Sequence, residues 1–206
     1  YVSLEPCSST GRTPPCTSAI LDAGIKKVVV CAIDPDSRHA GQGLDLLREH
    51  GVEVVLAPPE LGERAARLNF IFNQYIITGR PLIALKMATS ANGMVAERAG
   101  YPSRVTGEAA RADVMRWRRL FPSICVGSGT VIADDPSLTA RLPDAEWCPL
   151  RIVVDSTLAT LSPTFVPRKV YTDEHAHRTV VLTTARGMEN REAVAQAQNY
   201  GVRLIA

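Results

Sequence analysis

Along the chain, short β-branched apolar runs alternate with stretches in which apolar positions recur every three or four residues. Runs of the first kind predict buried strands, and stretches of the second kind predict amphipathic helices. Pro14-Pro15 is placed to open a helix, where a missing N–H costs nothing. That helix is expected from Cys16 to Ala23, stopped by Gly24. Lys26 to Ile33 predicts a buried strand ended by Asp34-Pro35. Leu44 to His50 follows as a helix stopped by Gly51, then Val52 to Leu56 as a strand. Glu60 to Ile77 predicts one long helix with Leu61, Ala65, Leu68, Ile71 and Tyr75 on a common face.

Thr78-Gly79-Arg80-Pro81 breaks the pattern, and a domain boundary is expected there. A second series follows. Leu82 to Met87 predicts a strand, and Gly107 to Leu120 a helix with Thr106 as its N-cap. Ser123 to Val126 predicts a strand leading into a loop, Gly127-Ser128-Gly129-Thr130. Leu150 to Asp155 and Thr179 to Thr184 predict further strands, Asn190 to Tyr200 a helix, and Val202 to Ile205 a last strand. The alternation implies an α/β protein of two domains, with largely parallel sheets covered on both faces.

Composition narrows the function. Hydrophobic residues make up 46% and charged residues 21% of 206 residues, which fits a globular chain and not a disordered one. Lys and Arg outnumber Asp and Glu by 23 to 21, so no basic stripe for nucleic acid is expected. Single arginines remain available for a phosphate on a small substrate. No apolar run approaches the ~18 residues of a membrane span. The first residues, Tyr1-Val2-Ser3-Leu4, lack a starting Met and any signal-peptide pattern. Both ends are expected to be cuts inside strands. The five cysteines are odd in number and scattered, which points to cytosolic thiols and not to a disulfide framework. Cys31 and Cys125 sit in apolar runs and are expected in the core, while Cys148 beside Pro149 has no assigned role.

Leu4-Glu5-Pro6-Cys7 followed by Pro14-Pro15-Cys16 is the most specific feature. A cysteine just past a strand and another opening a helix can converge on one zinc ion, and a helix N-terminus favours thiolate. The spacing alone leaves two unrelated loop cysteines open. The longer run, Leu4-Glu5-Pro6-Cys7-Ser8 with Gly11-Arg12-Thr13-Pro14-Pro15-Cys16, then Asp34-Pro35 and Ala40-Gly41-Gln42-Gly43, resembles the bifunctional riboflavin-biosynthesis deaminase/reductase. The resemblance implies that Cys7 and Cys16 are zinc ligands. It also implies that a third ligand and the general acid/base come from a His-Ala-Glu segment, which this chain does not contain. His39, His50, His175 and His177 are expected on the surface, and Glu5 is not expected to replace the missing base. The deaminase half is therefore expected to be inactive as given.

From Arg80 to Ser156 the chain resembles the reductase half of the same family, which implies a dihydrofolate-reductase-like fold using NADPH. Arg80-Pro81, Leu85-Lys86-Met87-Ala88-Thr89-Ser90 and Val126-Gly127-Ser128-Gly129-Thr130 through Asp134-Asp135-Pro136-Ser137-Leu138-Thr139-Ala140-Arg141 carry it. Exposed backbone N–H groups in a glycine-rich turn after a strand suit phosphate oxygens. The resemblance implies cofactor contacts at Ala88, Thr130, Asp134 and Ser156, and substrate contacts at Lys86, Arg118, Leu138 and Arg141. From its run alone, Lys86 is either a buried charge paired with a carboxylate or an edge-strand lysine in solvent. Arg116, Arg118 and Arg119 together also read as a solvated helix face.

Three positions depart from the family pattern. Ser90-Ala91-Asn92-Gly93 loses a carboxylate and keeps a turn residue, Pro102 replaces a serine, and Arg104 replaces a tryptophan. The implied architecture is the C-terminal part of a cytidine-deaminase-like domain over residues 1–76, then the N-terminal part of a dihydrofolate-reductase-like domain over 80–206. The implied chemistry is zinc-dependent deamination of a diaminohydroxyphosphoribosylaminopyrimidine, then NADPH reduction of the ribosyl group of the resulting phosphoribosylaminouracil. The expected partner is this small molecule, with no nucleic acid and no membrane; a homo-oligomer stays open. A stand-alone reductase carrying a deaminase remnant and a non-catalytic nucleotide-binding module are the alternatives.

Overall fold

The computed structural model describes residues 1–11, 13–98 and 100–206, which fall into two units, Tyr1–Leu85 and Lys86–Ala206.

In the first unit, three consecutive valines make β1 (Lys27–Val30) a stiff, strand-favouring segment. It pairs in parallel with β2 (Glu53–Leu56), from Lys27 opposite Glu53 to Val30 opposite Leu56. Parallel neighbours need a crossover, supplied here by α2 (Gln42–Glu49). The first residues add a further pairing, since the Val2 N–H donates to the Val29 carbonyl at 2.9 Å and the Cys31 N–H donates back to Val2 at 3.0 Å. α1 (Cys16–Asp22) is followed by Gly24 at φ 65°, where only glycine turns without cost. Val28, Val30, Leu44, Leu47 and Val52 form the core between these elements.

The single helix expected over 60–77 is two. α3 (Pro59–Leu68) ends and α4 (Phe70–Thr78) begins at Asn69, whose side-chain amide donates to the Ala65 carbonyl at 3.1 Å. Asparagine competes with the helical backbone for such bonds, so the break has a local cause. The expected common face is also corrected: Ala65 is buried, but Leu68 and Tyr75 are 77% and 57% exposed.

In the second unit, β3 (Ser123–Gly127), β6 (Leu150–Val154), β7 (Thr179–Leu182) and β8 (Arg203–Ile205) form one parallel sheet in that order. α5 (Glu108–Leu120) precedes the first of them, and between them lie α6 (Ser128–Asp134), the short helices α7 (Lys169–Thr172) and α8 (Ala185–Met188), and α9 (Arg191–Asn199). A hairpin of β4 (Ala140–Leu142) and β5 (Ala145–Trp147) was not expected. The core joins Val153 and Val181 of the sheet to Val131, Leu158, Leu161, Tyr171, Ala193 and Ala197.

Coverage on both faces is corrected. Within β6, Arg151 and Val153 are fully buried, whereas Val154, which points the other way, is 47% exposed. The buried partners from α6, α9 and the 3₁₀ turn Ala159–Leu161 all belong to the cluster on Val153's side. Cys125 shares the other side of the edge strand β3 and is exposed, not core; Cys31 is half-buried, and Cys148 is the buried cysteine.

Leu82–Met87 is not a strand. It has no regular structure and no ladder partners among the described residues, and Ile83 and Leu85 are 87% and 86% exposed. A strand exists through its neighbours' hydrogen bonds, and apolar content alone does not supply them. The N-cap of α5 is Gly107, not Thr106, because Gly107 has the extended backbone and no side chain caps the helix. The loop expected over 127–130 is the start of α6, with Gly127 extended at its N-cap. His177 lies in a 3₁₀ turn, Ala176–Arg178, with His175 at its N-cap.

Candidate functional sites

In the first unit the cysteine pair is built on a buried carboxylate. Glu5 is 6% exposed and accepts N–H bonds from Asp34 at 3.1 Å, Gly41 at 2.9 Å and Gly43 at 3.0 Å. It thereby ties the segment carrying Cys7 to the loop that leads into α2. Gly43 has no room for a side chain, because a Cβ there would overlap the Pro6 carbonyl. Glu5→Gln turns one acceptor into a donor facing backbone N–H groups. It is expected to lower stability by about 1–3 kcal/mol, measured as a urea-midpoint shift with an unchanged slope.

Cys7 and Cys16 come together as their spacing suggested. The Cys16 N–H donates to Cys7 Sγ at 3.3 Å, and the Cys7 carbonyl accepts from the Thr17 N–H and hydroxyl, both at 3.2 Å. The helix N-terminus thus serves the Cys7 sulfur. Cys16 itself is pushed up from the ordinary thiol range, first by its hydrogen bond with Cys7 and then by burial. The pair lines a cleft of about 940 Å³ whose walls include Val2, Leu4, Phe72 and Ile76.

Thiolate donors suit zinc, and a catalytic zinc takes three protein ligands. The two cysteines fit two of these places. No group of three His, Cys, Asp or Glu side chains is gathered for a metal among the described residues. His39 lines the same cleft, 4.0 Å from Asp36, with its side chain 38% exposed. His175 is half-buried, whereas His50 and His177 are exposed. Arg12, part of the motif, lies outside the described residues.

In the second unit the parallel register sets Gly127 opposite Val154. The chain toward Thr130 and the chain toward Ser156 therefore leave neighbouring strands at the same carboxyl edge, where open α/β sheets bind ligands. Thr130 and Asp134 are both exposed on α6, four residues apart and so on one helix face. Ser156 is exposed, and its carbonyl accepts from the Thr184 hydroxyl at 2.8 Å.

Arg118 is half-buried, and its Nη1 donates to the Thr139 carbonyl at 2.9 Å. Burial lowers its pKa first, and the charge of Arg141 lowers it further. The two guanidiniums are therefore neighbours. The arginine run is not one solvated face, because Arg118 is half-buried while Arg116 and Arg119 are exposed, Arg119 lying 5.1 Å over the Trp147 ring. Leu138 is 3% exposed, packed in the core at φ 57°.

Lys86 and Ala88 lie in the irregular stretch ahead of α5. Lys86 is exposed, which removes the reading of a buried ion pair. Asn92 keeps its turn: its side-chain oxygen accepts from the Ser90 hydroxyl at 2.6 Å, and Gly93 has φ 78°. Pro102 and Arg104 are exposed.

Sequence reasoning missed Arg151. It is fully buried in β6 and forms a two-pronged pair with Asp173, at 2.6 Å and 2.8 Å. Its Nη1 also donates to the Ser137 carbonyl at 2.9 Å, fixing the residue before Leu138. The signal was a lone arginine inside Leu150–Val154.

These features define an α/β protein with a parallel sheet. Residues 81–205 match the RibD C-terminal domain, and the chain belongs to that family. It is 44% identical over 158 residues to the riboflavin biosynthesis protein RibD of Bacillus amyloliquefaciens, covering 77% of this chain and 42% of that protein. Acinetobacter baumannii RibD superposes with a TM-score of 0.75 at 33% identity, covering 98% of this chain and 54% of that one. A Thermotoga maritima diaminohydroxyphosphoribosylaminopyrimidine deaminase/5-amino-6-(5-phosphoribosylamino)uracil reductase superposes at 0.72 and 31% identity, covering 98% and 59%. The chain spans about half the length of the curated relatives it matches, between 42% and 54% of the first three. No helix among the described residues is long and apolar enough to cross a membrane.

Proposed function

We propose that this chain is the middle of a cytoplasmic bifunctional enzyme of riboflavin biosynthesis. Residues 1–76 would be the C-terminal part of a cytidine-deaminase-like domain, and 80–206 the N-terminal part of a dihydrofolate-reductase-like domain. The observation that carries this is the convergence of Cys7 and Cys16 in a chain whose later part belongs to the RibD C-terminal domain family.

Cys7 and Cys16 would hold Zn²⁺, which supplies a water acidified toward neutral pH for attack on the amine-bearing pyrimidine carbon. Glu5 keeps the two sulfurs in register by fixing the loop behind them. The His-Ala-Glu segment is not among the 206 residues, so these residues alone are proposed to be inactive as a deaminase.

NADPH supplies the hydride for the second step. Ala88, Thr130, Asp134 and Ser156 would hold the cofactor. Lys86, Arg118, Leu138 and Arg141 would hold the phosphoribosylaminopyrimidine. Arg118 is oriented by the Thr139 carbonyl and has Arg141 as its neighbour. Two adjacent guanidiniums attract a phosphate, which relieves their mutual repulsion.

The test is metal analysis of the full-length protein and its Cys7→Ser and Cys16→Ser variants. Both variants should lose zinc and deamination while still reducing the deaminated substrate with NADPH. Zinc retained in both variants sinks the assignment of the pair.

A further inference from the structure

We infer that Arg151, with Asp173 behind it, is a positioning residue: through the Ser137 carbonyl it sets the segment that aims Arg118 and carries Arg141. This role rests on the reading of Arg118 and Arg141 as the pair that holds the substrate phosphate. Arg151 itself, fully buried, touches no ligand in it.

The stretch between α6 and β4 has little hold of its own. Residues 136–139 make no backbone–backbone hydrogen bond among the described residues. Two arginine side chains hold its carbonyls instead, Arg151 Nη1 on Ser137 and Arg118 Nη1 on Thr139, both at 2.9 Å. The Thr139 hydroxyl is buried without a hydrogen-bond partner, so it anchors nothing. Leu138 packs in the core, and at φ 57° its backbone sits in the left-handed region, which a leucine keeps only where its surroundings hold it. The direction of the Thr139 carbonyl is therefore set from Ser137 and Leu138.

Arg118 makes no ion pair among the described residues, so its aim comes from that carbonyl. Arg151 is the rigid end of the relay. Its Nε donates to Thr179 of β7, its Nη2 to the Val170 carbonyl of α7, and its fork closes on Asp173. A buried ion pair is weak evidence for stability, since apolar residues of like volume commonly serve as well. Apolar residues do not, however, donate to the Ser137 carbonyl in a fixed direction, as an anchored planar guanidinium does. Beyond Thr139 the chain enters β4, where Arg141 stands opposite Glu146. A shift at Ser137 thus reaches both arginines, and a misplacement of about 1 Å can cost on the order of a hundredfold in rate.

The test is steady-state reduction of the deaminated substrate and of its phosphate-free analogue by the full-length protein. The variants are Arg151→Lys, Arg118→Met and the double variant, each assayed at a temperature where circular dichroism shows it folded. Lysine keeps the buried charge opposite Asp173 and loses the fork. Arg151→Lys should lower kcat/KM about tenfold for the phosphorylated substrate and by no more than about twofold for the phosphate-free one, with the KM for NADPH unchanged. In the Arg118→Met background its effect on the phosphorylated substrate should shrink to about twofold, exerted through Arg141 alone. Asp173→Asn, at a side chain 19% exposed, loosens the anchor more mildly and should show the same pattern at about threefold. It carries the comparison if Arg151→Lys does not fold. Equal losses on both substrates, or an undiminished loss in the Arg118→Met background, assign Arg151 to folding alone and overturn the proposal. So does an unimpaired Arg151→Lys beside an impaired Arg118→Met. An unimpaired Arg118→Met overturns the substrate reading together with the positioning role.

Discussion

Replacing Arg151 with methionine is expected to lower the unfolding free energy by about 3–5 kcal/mol. All five guanidinium donors are used: Nε on Thr179 Oγ1 at 3.0 Å, Nη1 on the Ser137 carbonyl and Asp173, and Nη2 on the Val170 carbonyl and Asp173. Methionine matches the stem and none of these bonds. Asp173, whose side chain is 19% exposed, would keep only the His175 N–H at 3.1 Å. A half-removed buried pair costs more than the pair contributes, because one charge is left without its partner. Lysine should recover part of the loss, since it keeps the charge without the fork. Urea titration measures this, and a loss below about 1 kcal/mol, the range of an exposed ion pair, contradicts it.

Arg118→Met in the full-length protein is expected to lower kcat/KM for the reductive step by about 2–4 kcal/mol, roughly 30- to 1,000-fold. Arg118 has a fixed direction, from its bond to Thr139, and a like charge beside it in Arg141. Burial and that like charge both work against its protonated form, a cost that an anionic ligand offsets. The comparison with a substrate lacking the phosphate is decisive. Wild type and variant should reduce it at nearly equal, low rates, because the missing interaction is missing from both. A large effect of the variant on the phosphate-free substrate would assign Arg118 to folding and not to phosphate recognition.

Much of the fold was legible where one sequence signal sufficed. β6 and β7 are β-branched runs in a parallel sheet, and α9 is bounded by Asn190, whose side chain accepts from the Ala193 N–H at 3.2 Å. Features that depend on partners were not legible. Leu82–Met87 has strand composition but no ladder, and Cys125 has a core composition but sits on the open side of an edge strand. The break at Asn69 had a visible cause, an asparagine inside a helical pattern. Pro143-Asp144 between β4 and β5 was likewise a turn signal, with strands too short for alternation to show.

The candidate sites divide in the same way. Local motifs placed the cysteines, which do converge, and the chain segments that run to Thr130 and Ser156, which leave one sheet edge. The supports behind them were not legible as supports. Glu5 and Arg151 are charged residues whose burial follows from backbone groups 29 to 38 residues away for Glu5, and from partners 14 to 28 residues away for Arg151. Leu138 shows the converse: its motif marked a ligand contact, whereas its side chain belongs to the core.

Bifunctionality is tested most directly by following ammonia release and NADPH oxidation together in the full-length protein supplied with the diaminohydroxyphosphoribosylaminopyrimidine. Equimolar ammonia and NADP⁺ are predicted, with ammonia appearing first. Ammonia without NADPH oxidation, NADPH oxidation without ammonia, or neither would contradict a chain that joins the two activities.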